Sequence, residues 1–524
     1  MATSSSSATT EPKRSPGEWY AIAAIVAVSV VAHLWRLGWR PLAHDEAIDA
    51  NFAWQARDGA VMRYDPVYHG PLRFYLEGLL LRMFGTGAAS ARLLAALCGI
   101  AATAAIATAR SVLGKFGAPI AAALFVVSPS VLTITRTGRE DSLVGLLSIG
   151  VLLIVADALR VGGPSVRHVV GASALLALSF GVKETTFIFG FAGACFFAGA
   201  GVVAWRRDGG ARRFLRSVGD AGMAPWWWAL ATFFLIVMVI YTSGFRYAAG
   251  FESGLLDGIR YWLSQHEVGR GSQRWFFYLT ILGAYEWLAL ALAAIGGVRA
   301  ARHHDLVGGW FVTMAVIQLA IYSWAGEKFA WLMLHPMLPI VLLAGIGGQH
   351  LIDRTATGAA RRATAVALAV ALLGTGALAI RPAITDGDDP RELLVTVQTQ
   401  AAVRDLAAEI RAGYARGDIT SVLVDERDSG SWPWAWYLVG LDRVEYVTVD
   451  PAAPLPAGYD VYIVSASTDP PPIPAGYRID RFALRGWWLP DWDRASLADV
   501  ARWLFTREVW NPIGTSDQFV IRPG

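Results

Sequence analysis

His44, Asp45, Glu46 and Asp49 crowd into "HDEAID" (44–49), directly after an apolar run long enough to cross a membrane. Three acids and an imidazole so placed can cap a helix, ligate a cation or carry protons. Adjacent carboxylates raise one another's pKa and need cations nearby to stay ionised. Candidate cations come in three other short polar stretches: Arg139 beside Glu140 and Asp141 in "RTGRED" (136–141), Lys183 beside Glu184 in "GVKETT" (181–186), and Lys328 beside Glu327 in "AGEKFAW" (325–331). All three are tight turns between apolar runs, where charges mark a substrate path. By contrast, Asp257, Arg260 and most of the 243–275 loop read as solvated loop charge. His69 follows in "YDPVYHGPLRFYLEG" (64–78) with Asp65 and Arg73. A helix over 327–335 would put Glu327 and His335 on similar faces, and a lone buried histidine is as often a packing residue as a ligand. His44, Asp45, Glu46 and His69 offer oxygen and imidazole ligands to a divalent cation, but no HxxxH or cysteine-containing spacing supports one. The plain alternative for Asp45 and Glu46 is a helix cap and a dipole complement, worth about 1 kcal/mol. That accounts for one acid and leaves His44 and the second amphipathic segment unexplained.

The elements that must position these residues are membrane helices. Of 524 residues, 55% are hydrophobic and only 17% charged, beyond the range of a soluble globule. A crossing helix needs about 20 mostly apolar residues. Such runs recur near 19–38, 88–110, 118–134, 142–159, 168–182, 185–204, 225–243, 276–298, 308–324, 332–350 and 365–380, which predicts a polytopic α-helical membrane protein with about eleven transmembrane helices. With residues 1–18 as a disordered cytoplasmic tail, Lys115, Arg160, Arg167, Arg206, Arg207, Arg212, Arg213, Arg216, Arg299, Arg302, Arg354, Arg361 and Arg362 all fall in inside loops, as the excess of basic residues there requires. The acid-rich turns, the first loop (39–87) and residues 381–524 then lie outside, on the extracytoplasmic side of a plasma membrane. Within the first loop, Ile48, Phe52 and Ala56 are spaced as on a helix lying in the interface. A net charge of +3, with its bases sorted by loop, gives no ground for nucleic acid. Cys98 and Cys195, both in apolar runs, provide no disulfide framework.

After the 19–380 transmembrane part the pattern changes. A helix at 397–415, strands at 421–425, 444–449 and 460–465 and a second helix near 432–439 predict a C-terminal α/β domain with a partly parallel sheet. Trp432, Trp434, Trp436, Trp487, Trp488 and Trp492 crowd into it. Two readings stay open for them, anchoring at the lipid surface and stacking on sugar rings.

"HDEA" after the first span, "HGPLRFYL", "RTGREDS", "GVKETT", "GEKFAWLMLHPMLPIVLLAG" (326–345), "SWPWAWYL" and the terminal "REVWNPIGTSDQFVI" together resemble the GT-C glycosyltransferases of the protein O-mannosyltransferase-like branch, in particular the flippase activity-associated proteins of archaea and bacteria. The resemblance implies a GT-C-like fold, a polyprenyl-phosphate-linked sugar as donor, reaction at the outer face of the lipid bilayer, and a protein or lipid-glycan acceptor. It makes Asp45 the candidate general base, with Glu46 orienting the acceptor or supporting Asp45. Arg139, Lys183 and Lys328 would hold the donor phosphate. His44, His69, Glu140, Asp141, Glu184, Glu327 and His335 are implied as supporting or substrate-binding residues. The branch works for the most part without a metal, so the resemblance implies no cofactor, and a divalent cation at His44, Asp45, Glu46 and His69 stays open as the minor alternative. The alternative is a non-catalytic accessory to a flippase of lipid-linked sugars. A transporter fits less well, because the charges gather at one face rather than at mid-bilayer helix breaks.

Overall fold

The computed structural model describes residues 13–206, 209–265, 271 and 273–523; residues 1–12 of the expected tail, and Arg207 among the inside-loop bases, lie outside the described residues. Among the described residues, eight helices are long and apolar enough to cross a membrane: Pro16–Leu34, Ala88–Ala107, Asp141–Val161, Thr185–Ala204, Ala224–Tyr241, Leu306–Trp324, Ala330–Asp353 and Gly358–Thr385. Two bent pairs raise the number to ten, Gly117–Val127 with Pro129–Thr135 (66°) and Phe277–Tyr285 with Trp287–His303 (101°). The remaining expected span, 168–182, is the 15-residue helix Val166–Phe180, shorter than a straight crossing requires. The chain is thus a multi-pass membrane protein, with eight to ten candidate spans rather than eleven.

The first bend has a local cause. Pro129 lacks the amide that would continue the preceding helix, and the Ser128 side chain caps the helix that restarts there. Its partner is the other break, at Glu286. The Glu286 carboxylate accepts from Ser128 Oγ (2.8 Å), the Ser130 amide (2.9 Å) and Ser130 Oγ (2.6 Å). All three bonds fall on Glu286 Oε1, so the buried acid takes up the freed Ser130 amide and both hydroxyls at the break.

The loop after the first span forms two helices, His44–Arg57 and Leu72–Phe84. The first does not lie free in the interface. Its Glu46, Ala47, Asp49, Ala50 and Ala53 side is buried, because small residues admit close neighbours, while Ile48 and Phe52 are only partly covered; Phe52 meets Tyr68 and Phe74 at 4.8 and 5.4 Å.

The C-terminal domain holds a six-stranded sheet of β1 (Gln398–Thr399), β2 (Val422–Asp425), β3 (Val444–Val447), β4 (Val461–Ser465), β5 (Tyr477–Trp487) and β6 (Gly514–Pro523), in the order β1-β5-β6-β4-β2-β3. β2 pairs parallel with β3 and β4, and the other pairings are antiparallel, so the sheet is partly parallel as expected. Three details differ. The helix expected at 397–415 is Ala401–Arg416, because Gln398 and Thr399 pair with β5. The helix near 432–439 shortens to Trp434–Tyr437. The long β5–β6 pair was not foreseen. This sheet sits on the site loop: Trp436 packs into the cluster of Leu42, Ala47, Ala50, Ala53 and Leu81, the Leu42 amide donates to Tyr437 Oη (2.9 Å) and Gln398 Nε2 to the Pro41 carbonyl (2.9 Å).

Candidate active site

Glu46 anchors the site. Arg92, from the Ala88–Ala107 span, donates Nε and Nη2 to its two carboxylate oxygens, each at 2.7 Å. The other three N–H groups of Arg92 go to the Leu37, Arg40 and Pro41 carbonyls at 3.1, 2.9 and 2.8 Å, so all five donors of the fork are used. Glu46 also accepts from the Ala43 amide (2.9 Å) and the Gly138 amide (2.7 Å). Burial works to raise its pKa, but Arg92 and Arg40 outweigh it and hold the carboxyl well below the usual range. Glu46, expected beside Asp45 as a catalytic carboxylate, is instead a sealed clamp, its side chain 1% exposed, that ties the 136–141 turn to the start of the His44–Arg57 helix.

Next to it lies a buried ionic network. Arg73 bridges Asp49 (2.8 Å), Glu77 (2.8 Å) and Glu140 (2.9 Å), while Lys183 reaches Glu140 at 2.6 Å and Asp141 at 2.9 Å. His335 Nε2 is 2.9 Å from Asp141. His69 Nδ1 is 2.6 Å from Glu184, which also accepts from Tyr64 Oη at 2.5 Å. Burial would lower the His69 pKa, yet Glu184 beside it raises it overall. Burial likewise acts against ionised Glu140, and Arg139 and Lys183 reverse this to hold it well below the usual range. Glu77, more deeply desolvated than Arg73 can compensate, is pushed up to about 7.

Asp45 points elsewhere. Its side chain is 38% exposed against 7% for Asp49 and 1% for Glu46 and Glu140, and it opens on a cavity of about 220 Å³ whose wall also includes Arg40, His44, Glu46, Arg139, Trp331 and Gln398. Arg139 Nη1 is 3.1 Å from Asp45 and 3.3 Å from Asp49, with its guanidinium 4.8 Å above the Trp331 ring. His44 accepts at Nδ1 from Arg485 Nη1 of β5 (2.9 Å), and burial lowers its pKa to about 4. A second cavity of about 400 Å³ shares Phe329 and residues 395–397 with the first and is lined by Lys328, Arg485 and Trp487.

The expected phosphate-binding trio therefore separates. Arg139 stays with Asp45, Lys183 is enclosed by two carboxylates, and Lys328 belongs to the neighbouring cavity. Glu327 and His335 do not share a helix face, since 327–329 is irregular, Ala330–Met333 is a 3₁₀ turn and the helix proper starts at Leu334. The four residues considered for a divalent cation do not converge: Glu46 turns to Arg92 and His69 to Glu184. Among the described residues no group of three His, Cys, Asp or Glu side chains could hold a metal ion. Of the tryptophans offered as sugar or interface contacts, Trp434 is buried in the domain core with its N–H on Gln518 (2.8 Å), Trp436 packs on the site loop, and Trp488 is covered by Trp503 and Trp510. These three are packing residues, Trp432 is partly covered beside the site loop, and Trp487 lines the second cavity. Sequence reasoning missed Arg40, Arg92 and Arg485. Arg92 carried a signal, since an arginine inside a membrane-length apolar run demands a buried acid; Arg485, 441 positions from His44, carried none.

The chain is similar to known proteins over part of its sequence and in its fold. A family profile described as dolichyl-phosphate-mannose-protein mannosyltransferase matches residues 68–212, which include His69, Arg73, Arg139, Glu140, Lys183 and Glu184. No curated protein matches the chain in sequence. Among solved structures, ArnT from Cupriavidus metallidurans in the apo state is similar at 15% identity and a TM-score of 0.58, over 81% of this chain and 85% of that one. The same protein bound to undecaprenyl phosphate gives 16% and 0.53, over 81% and 76%. The Archaeoglobus fulgidus oligosaccharyltransferase in the apo form gives 13% and 0.58, over 83% of this chain and 64% of that one. The chain shares the fold of these two proteins, the GT-C-like architecture expected from its sequence.

Proposed function

We propose that the chain is a membrane glycosyltransferase that moves a sugar from a polyprenyl-phosphate donor to a hydroxyl of a protein or lipid-glycan acceptor, with Asp45 as general base. The observation that carries this reading is the division of labour in "HDEA": Glu46 is sealed against Arg92, while the neighbouring Asp45 is open to a cavity and held by Arg139. The ArnT structure bound to undecaprenyl phosphate supports the donor class, and the sorting of Lys and Arg among the loops supports an extracytoplasmic site. In the reaction the bond from the anomeric carbon to the donor phosphate oxygen breaks and its electron pair leaves with the phosphate. The acceptor oxygen bonds to the anomeric carbon as its proton passes to Asp45. Arg40 and Arg139, both lining the cavity, take the growing phosphate charge in place of the buried Lys183. Arg139 then shifts its share of charge from Asp45 toward phosphate as the base is neutralised. Purified protein incubated with radiolabelled polyprenyl-phosphate sugars tests this: label should move to acceptor with the wild type and stay on the donor with Asp45→Asn. Donor binding without transfer from any sugar offered would favour the accessory alternative.

A further inference from the structure

Arg485 reaches the cavity from the far domain. The β5–β6 register shifts between Ala483 and Arg485, a bulge of the kind that re-aims a side chain. Nη2 of Arg485 donates to the Asp428 carbonyl (3.0 Å) and the Ser429 carbonyl (2.9 Å). Those two residues hold left-handed backbone, with φ of 56° and 57°, a conformation that non-glycine residues keep only where the surroundings enforce it. So fixed, Arg485 places Nη1 2.9 Å from His44 Nδ1. A guanidinium has donors and no acceptor, so Nδ1 must offer its lone pair and the ring proton must sit on Nε2. Nε2 meets no protein acceptor among the described residues, and His44 lines the cavity with Asp45. Burial also keeps the ring neutral near pH 7, against the pull of Asp45. The lone pair that a histidine base would need is occupied, which leaves proton abstraction to Asp45.

We propose that Arg485 is a positioning residue, supplied by the C-terminal domain, that fixes His44 as an Nε2–H donor to an oxygen of the substrate bound beside Asp45. No proton is transferred by His44; it stabilises charge on that oxygen through a preformed hydrogen bond. The rate consequence rests on the glycosyltransferase reading, whereas the tautomer does not.

The test is nitrogen NMR of the full chain in lipid nanodiscs with ¹⁵N-labelled histidine, the His44 signals being assigned by their loss in His44→Asn. At pH 7 the wild type should show an unprotonated Nδ1 and a protonated Nε2. Arg485→Met should give a mixture of tautomers, and Arg485→Gln, which keeps an N–H donor, should restore the wild-type pattern at least in part. Transfer turnover should fall about tenfold in Arg485→Met, the worth of one such hydrogen bond, with the donor KM little changed, and should recover in Arg485→Gln. A protonated Nδ1 in the wild type, or an unchanged His44 signal in Arg485→Met, overturns the proposal. If the NMR result is as stated and no donor supports transfer, the function reading fails and the positioning role of Arg485 stands.

Discussion

Asp45 and Glu46 are neighbours in sequence with opposite fates, and the cause is geometric. Consecutive helical residues point about 100° apart, so when Arg92 draws one inward the other faces the cavity. The sequence made the pair visible but could not say which acid turns in, because that depends on a cation from another span. The same limit applies to Lys183, read as a free cation from a tight turn and in fact enclosed by Glu140 and Asp141. Arg92→Leu should therefore leave the buried Glu46 carboxylate with only the longer Arg40 contact at 3.5 Å as ionic partner and lower stability by about 3–5 kcal/mol. Adding Glu46→Leu should recover most of that loss, because an apolar pair of similar volume is tolerated where a single charge is not. Thermal unfolding in detergent of the two single variants and the double variant measures it; equal losses in Arg92→Leu and in the double variant would mean that the clamp is not ionic.

At the scale of elements, the apolar runs foretold the spans because length and hydropathy are local properties. Ser128 with Glu286 shows what they could not foretell: two breaks 158 positions apart are hydrogen-bonded to each other. β5 and β6 were missed for a related reason. Their strands carry exposed charge, as in "YRIDRFALRGW", and owe their order to pairing with each other rather than to a local apolar signal. Trp436 was legible as one of a cluster of tryptophans, but its role comes from the alanine-rich side of His44–Arg57 that it fills. Trp436→Ala should leave a cavity at this junction and cost about 3–5 kcal/mol. Because the helix that carries Asp45 loses its support, turnover should fall as well, while the transmembrane helices remain folded. Limited proteolysis should show earlier cutting in the C-terminal domain of this variant, and an unchanged digestion pattern would contradict the packing role.

For the whole molecule, the site is a three-way junction of the first loop, the turns at 136–141 and 181–186, and the C-terminal sheet. The sorting of Lys and Arg among the loops placed "HDEA", "RTGREDS" and "GVKETT" at one face, and the fold joins them by hydrogen bonds and ion pairs. What the chain does at that face depends first on which side of the membrane it occupies. Single cysteines in a background lacking Cys98 and Cys195 should react with a membrane-impermeant thiol reagent at position 450 in intact cells and at position 213 only after lysis; the reverse pattern would put the site on the cytoplasmic side. The central claim, that Asp45 takes the acceptor's proton, is tested most directly by single-turnover transfer with saturating polyprenyl-phosphate sugar in the wild type and in Asp45→Asn, with donor affinity measured on the same preparations. The amide is nearly isosteric and cannot accept the proton at neutral pH, so the rate should fall by about 10²–10⁴-fold with affinity retained. Wild-type transfer rates in Asp45→Asn would contradict the account.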